Sequence, residues 1–138
     1  MEVIRGIYAA LASGDVPAVL EALSPDVEWN EAESFPYADG NPYIGRDAVL
    51  EGVFARLGSD WDRFNLVVEQ MIDADDSVVA LGRYKGRHSR TGGELDAEFA
   101  HVWWLEDGKV IRFQQYTDTQ QANAVVGRQA GVPGNTIG

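Results

Sequence analysis

The stretch Phe99-Ala100-His101-Val102-Trp103-Trp104-Leu105-Glu106-Asp107-Gly108-Lys109-Val110-Ile111-Arg112-Phe113-Gln114-Gln115-Tyr116 decides the fold. It holds two runs rich in aromatic and β-branched residues on either side of Asp107-Gly108. An Asp-Gly pair between alternating apolar residues is the strongest short-range hairpin signal. The strands are read as Glu94–Leu105 and Lys109–Asp118. Working upstream, Arg90-Thr91-Gly92-Gly93 is a hairpin loop, Val78–Ser89 a strand, Asp75-Asp76-Ser77 a turn, and Phe64–Ala74 another strand. The run is therefore an antiparallel meander.

Before the meander the period changes from two to 3.6. Ile4, Ile7, Tyr8 and Leu11 recur at helical spacing, and Ser13-Gly14-Asp15 breaks that helix. Asp15 caps a second helix with Pro17 in its first turn and Val16, Val19, Leu20 and Leu23 as its apolar stripe. Pro25 stops it, and Asp26–Asn30 reads as a short strand. Residues 31–45 form an aromatic-rich loop, and a third helix covers about Arg46–Leu57. A last helix, capped by Asp118, covers about Thr119–Val126. Helices on one face of a mainly antiparallel sheet make an α+β fold. Residues 1–126 are one domain, and residues 127–138 are a flexible tail.

Composition narrows the function. The chain has 138 residues, of which 45% are hydrophobic, enough for one core. Eleven basic against 22 acidic residues leave a net charge of -11, which repels phosphate backbones, so no nucleic-acid partner is expected. No apolar run reaches the ~18–20 residues that cross a bilayer. The first residues read as a helix and not as a leader, so a cytoplasmic location is expected. There is no cysteine, and the two histidines are far apart. Neither a metal nor any other cofactor is expected.

Strand parity selects an inner face. Leu95, Ala97, Phe99, His101 and Trp103 form the more apolar face of their strand. Ile111, Phe113, Gln115 and Thr117 form that of the last strand. Ala80, Gly82, Tyr84, Gly86 and His88 turn inward so that Arg83, Lys85 and Arg87 turn out, although His88, at the hairpin's end, is assigned to the surface. Asn30 is placed inside at the end of the first strand. Sparse polar groups in an apolar enclosure are the pattern of a small-molecule site.

Two stretches carry a family resemblance: Gly14-Asp15-Val16-Pro17-Ala18-Val19-Leu20 through Ser24-Pro25-Asp26-Val27-Glu28-Trp29 and Gly45-Arg46-Asp47-Ala48-Val49, and residues 99–119. With their element order they resemble the NTF2-like superfamily of SnoaL-like and ketosteroid-isomerase-like domains. The resemblance implies a cone-shaped sheet wrapped on three N-terminal helices, with a pocket at its wide end. By spacing from Gly14 and Gly108, the base position of steroid isomerases of this fold would fall on Asn30, the oxyanion tyrosine on Ile7 and the acid on His101. Tyr8 lies one residue, about 100° of helix, from the tyrosine position and is no simple substitute for it. The Asp-Arg-Asp set of related epoxide hydrolases would fall on Tyr84, Gly82 and Gln115, and the acid of SnoaL-type cyclases near Gln115. The carboxylates these mechanisms need are replaced.

What remains is His101 as the proton-transfer group, with Tyr84 and Gln115 orienting it or stabilising an oxyanion. Asn30, Trp29, Phe35, Tyr37, Phe54, Phe99, Trp103 and Phe113 are the expected ligand-binding residues. Glu28, Glu31 and Glu33 read as loop or surface charge, with Glu31 the one that a change of register would bring to the base position. The expected activity is a cofactor-independent isomerase, cyclase or lyase acting on a small apolar carbonyl compound. The alternative is a non-catalytic module for binding a hydrophobic or amphipathic ligand or for dimerisation. Val102, Trp104 and Tyr116 on the outer sheet face lead to the expectation of a homodimer through that face.

Overall fold

The computed structural model describes residues 1–127. Of the tail assigned from sequence, only Gly127 is among them. It closes the last helix with φ 88°, a left-handed position that glycine takes at little cost. The rest of the tail lies outside the described residues.

Helix α1 spans Glu2–Ser13 and ends at Gly14, φ 73°. In α2, Val16–Ala22, the Asp15 carboxylate accepts from the Ala18 N–H. Strand β1 runs Leu23–Asn30, three residues longer than expected. Pro25 therefore lies inside a strand. Its pairing register with β6 shifts between Leu23 and Glu28, an irregularity at which a residue without an N–H is tolerated. After the two-residue strand β2 (Tyr43–Ile44), helix α3 covers residues 46–60, beyond the expected end at Leu57. It is α-helical over Arg46–Val49 and Ala55–Asp60, with a π turn over Leu50–Phe54 between them. The long strands follow: β3 Trp61–Asp73, β4 Ser77–His88, β5 Glu94–Glu106 and β6 Lys109–Thr117. Helix α4, Thr119–Val126, starts where the Asp118 carboxylate accepts from the Gln121 N–H.

Among the described residues the sheet has six strands in the order β2-β1-β6-β5-β4-β3. The pair β1–β6 is parallel and the others antiparallel. The chain is thus α+β as expected, with the meander intact and β1 inserted beside its last strand.

Alternation holds along β4, where Val78, Ala80, Gly82, Tyr84, Gly86 and His88 are all buried. Parity thus places His88 correctly and its assignment to the surface is wrong. The ring packs edge-on against Trp61 with centroids 5.0 Å apart. A Cβ at Gly82 would run into the Val67 carbonyl and the Phe99 ring, so this glycine lets Phe99 press against the sheet. In β6 the expected parity fails at one residue. Trp104 pairs with Arg112 but Leu105 pairs with Val110, so Ile111 is the extra residue of a bulge. Val110 turns inward and Ile111 is left 38% exposed, while Phe113 and Gln115 keep their inward places.

The interior divides into two apolar clusters. One joins Ile4, Ile7, Val19, Trp29, Trp103 and Phe113 beneath the helices. The other joins Phe35, Tyr37, Trp61, Tyr84, Leu95 and Phe99 near α4. Phe113→Ala is expected to cost about 3–5 kcal/mol and Ile111→Ala less than about 1 kcal/mol in urea unfolding, because only the first empties a packed site. Equal losses would contradict the bulge.

Candidate functional site

A narrow cavity lies between the two clusters and takes its walls from both. Its volume is only about 50 Å³, well below the ~300–1,000 Å³ of an ordinary small-molecule site, so a ligand enters only as the aromatic walls part. Trp29, Phe54, Trp103 and Phe113 wall one side, and Phe35, Phe64, Leu66 and Tyr84 the other. Trp29 stacks on Phe113 at 3.9 Å. The polar groups facing this aromatic space are Glu31, Tyr84, His101 and Gln115.

Glu31 is the largest departure from the sequence reading. Asn30 was placed inside, yet Trp29 was too, and neighbours on a strand face opposite ways. Val27, Trp29 and Glu31 are the buried set. Asn30 points to the other side, where its amide donates to Glu28 Oε2 and to the Phe113 carbonyl. The inward place expected of Asn30 is therefore taken by Glu31. Its carboxylate accepts from Trp29 Nε1 at 2.9 Å. Its backbone is clamped by Asn41, which accepts from the Glu31 N–H and donates to the Glu31 carbonyl. The Glu31 residue is 3% exposed. Burial pushes its carboxyl up from 4.5 to about 7, opposed by the Trp29 hydrogen bond and by the charge of Arg56.

His101 sits at the centre of β5, opposite Ala80 and Gln115 on the neighbouring strands. Both ring nitrogens are engaged. The Tyr8 hydroxyl lies 2.6 Å from Nδ1 and the Tyr84 hydroxyl 2.6 Å from Nε2. Trp103 Nε1 donates to the Tyr8 oxygen at 2.9 Å, and Gln115 Nε2 donates to the Tyr84 oxygen at 2.8 Å. The far end of the Gln115 amide accepts from the Ala32 N–H. His101 was expected to titrate near neutrality. Burial without an acidic partner instead pushes its pKa from 6.5 down to about 3, so the ring is neutral at pH 7. Burial likewise holds Tyr84 well above its ordinary value, with the nearby charge of Glu31 adding to it.

Tyr8 was set aside because it is one residue from the family's tyrosine position. Its place in the stripe Ile4, Ile7, Tyr8, Leu11 was the available signal, since a long side chain on the edge of that stripe reaches the sheet. Of the expected ligand-binding residues, Trp29, Phe35, Phe54, Trp103 and Phe113 line the cavity. Phe99 lies behind the polar groups, stacked on His101 at 4.0 Å. Tyr37 turns away, donating to Asp60 Oδ2 and lying under the Arg56 guanidinium. Among the described residues no group of three or more His, Asp or Glu is placed to hold a metal ion, and no helix is long and apolar enough to cross a membrane.

A curved, open six-stranded sheet packed with helices in an α+β fold is the NTF2-like, ketosteroid-isomerase-like class of domain. Residues 4–113 match the model of the SnoaL-like domain family, and the chain belongs to that family. An NTF2-like protein from Burkholderia thailandensis E264 is 34% identical. It superposes with a TM-score of 0.86 over 91% of this chain and 95% of its own. An NTF2-like protein of unknown function from Burkholderia pseudomallei K96243 is 27% identical, with a TM-score of 0.84 over 92% of this chain and 96% of its own. TerC, co-crystallized with polyporic acid, is also 27% identical, with a TM-score of 0.81 over 91% of this chain and 95% of its own. Among curated proteins none matches the chain.

Glu31 and His101 influence stability with opposite sign. The folded state keeps a proton on Glu31 up to about pH 7 that the unfolded chain releases near 4.5. Its contribution is therefore complete below 4.5 and lost as pH rises through about 7. The unfolded chain protonates His101 below 6.5 while the folded state resists until about 3, so that contribution is lost as pH falls. Between pH 4.5 and 6.5 the two nearly cancel. Glu31→Gln keeps an acceptor for Trp29 and removes one of them. Urea melts are expected to show this variant more stable than wild type by roughly 3 kcal/mol above pH 7, with the gap closing towards pH 4.5.

Proposed function

We propose that the chain is a cofactor-independent acid/base enzyme, an isomerase, cyclase or lyase, acting on a small apolar carbonyl compound. Glu31, not His101, is its proton-transfer group. The observation that carries this reading is a buried carboxyl at the wall of an aromatic cavity that also holds the Tyr84 hydroxyl. A general base works best when its pKa is near the operating pH, and burial brings Glu31 to about 7. Glu31 removes a proton from the carbon beside the carbonyl. The electron pair moves into the carbonyl, and the Tyr84 hydroxyl holds the resulting enolate oxygen. Protonated Glu31 then returns the proton to the same or a conjugated carbon. The aromatic walls exclude water from the pair. The co-crystal of TerC with polyporic acid supports a small organic occupant.

The direct test is α-deuterium exchange. Small aryl ketones in deuterated buffer are expected to exchange their α-hydrogens faster with the protein than without, as read by proton NMR. The rate should rise with pH through about 7 as Glu31 ionises, and Glu31→Gln should lower it by about 10²-fold or more. Exchange that persists in Glu31→Gln would remove Glu31 as the base. Ligand-dependent stabilisation without any exchange would favour the non-catalytic binding module.

A homodimer through the outer sheet face belongs to the same proposal. Ile72, Val79 and Val102 pair across three neighbouring strands on that face, and Tyr116 nearby is 56% exposed. Sedimentation at high micromolar concentration is expected to give a dimer that Tyr116→Glu weakens. A monomer throughout would exclude it.

A further inference from the structure

We infer that His101 is a tautomer relay: held as the Nε2–H form by Tyr8, it turns the Tyr84 hydroxyl hydrogen into the cavity, where it selects ligands bearing an acceptor oxygen. The inference deepens the reading given under Proposed function and rests on it for the identity of the reacting oxygen. The hydrogen-bond count behind it does not.

The ends of the chain of bonds are fixed. Trp103 Nε1 can only donate, so the Tyr8 oxygen accepts from it. Gln115 could be flipped in principle, but its Oε1 accepts from the Ala32 N–H, which leaves Nε2 facing Tyr84. Each tyrosine oxygen thus receives one hydrogen from outside the relay. Between them lie two bonds to His101, each of which needs one hydrogen. The two hydroxyls and one neutral imidazole supply three. One hydroxyl hydrogen is left over, and the position of the ring proton decides which.

If the ring proton is on Nδ1, it donates to Tyr8 and the Tyr84 hydrogen is tied to Nε2. If it is on Nε2, Tyr8 donates to Nδ1, Tyr84 accepts from Nε2–H, and the Tyr84 hydrogen is free. Tyr84 lines the cavity and Tyr8 does not. Trp29 donates to Oε2 of the Glu31 carboxylate, and the charge of that carboxylate acts on Tyr84. A carboxylate in the cavity, or a ligand oxygen that takes its place, therefore favours the Nε2–H form. A carbonyl, enol or enolate oxygen gains the Tyr84 hydrogen bond, and a hydrocarbon of the same shape gains nothing. Tyr8 is a positioning residue that acts through His101 and does not touch the ligand.

The test needs no turnover, so its failure is distinct from failure of the exchange assay. Multiple-bond proton–nitrogen NMR of ¹⁵N-labelled, ligand-free protein at pH 7 reads the tautomer, with His101 assigned by its proximity to Phe99 and Phe113. A single Nε2–H pattern is expected. A dominant Nδ1–H pattern or an imidazolium overturns the inference. Acetophenone and its isostere α-methylstyrene, titrated by tryptophan fluorescence, then separate positioning from packing. Tyr8→Phe removes the donor that keeps Nδ1 bare and lets the Tyr84 hydrogen turn back to Nε2. It should weaken acetophenone by roughly fivefold to tenfold and leave α-methylstyrene unchanged, as should Tyr84→Phe. Equal loss for both probes, or for neither, in Tyr8→Phe removes Tyr8 from the relay.

Discussion

The hydrogen bonds on both nitrogens of His101 are the constraint on which the interior is organised. Tyr8 brings α1 to one side of the ring, and Tyr84 brings β4 to the other. Gln115 extends the chain of bonds to β6 and, through Ala32, to the loop after β1. An unpaired polar group in such a place would cost several kcal/mol. Among the described residues no buried side-chain nitrogen or oxygen lacks a partner. The helix therefore cannot rotate or slide on the sheet without breaking bonds that water cannot replace.

This line of polar groups runs along the seam between the two apolar clusters, which is also where the cavity lies. The arrangement follows from parity and size. Inward positions on β5 and β6 put His101 beside Gln115, between the rings of Phe99, Trp103 and Phe113. The inward residues flanking Tyr84 on β4 are Gly82 and Gly86, so Phe99 from β5 and Trp61 and Phe64 from β3 can crowd in. Low polarity then sets the charge states. It holds His101 as a neutral imidazole and Glu31 as a carboxyl that ionises only near neutrality, in a protein whose overall net charge is -11. The surface charge is arranged otherwise, in exposed pairs such as Arg83 with Asp96 and Arg63 with Glu94, each worth little to stability.

Much of the site was legible because strand periodicity is rigid. His101, Tyr84 and Gln115 were found by counting in twos, and so were Trp103 and Phe113. The errors came where counting had to cross an irregularity or rely on an aligned position. Ile111 was misplaced by a bulge, which one strand cannot reveal without its partner. Asn30 was chosen by spacing from Gly14 although Trp29 beside it already claimed the inner face. Applying parity there would have pointed to Glu31. Tyr8 was dismissed on helix angle alone, which ignores the reach of a tyrosine side chain.

The sequence by itself determined the order of helices and long strands, the hairpin at Asp107-Gly108, the helix caps at Asp15 and Asp118, and the inward faces of β4 and β5. These depend on neighbours a few residues away, where backbone geometry and hydrophobic period decide. Only the tertiary structure decided that β1 lies parallel beside β6, that Glu31 is buried and that Tyr8 and Tyr84 share one imidazole. It also decided which groups keep their protons. Each of these depends on residues 17 to 95 positions apart in the chain coming within a few ångströms, and on the loss of water that follows. The stretch 99–116 announces its own hairpin, but the burial that keeps its central histidine neutral and the Tyr8 hydrogen bond that the histidine shares come only with the folded chain.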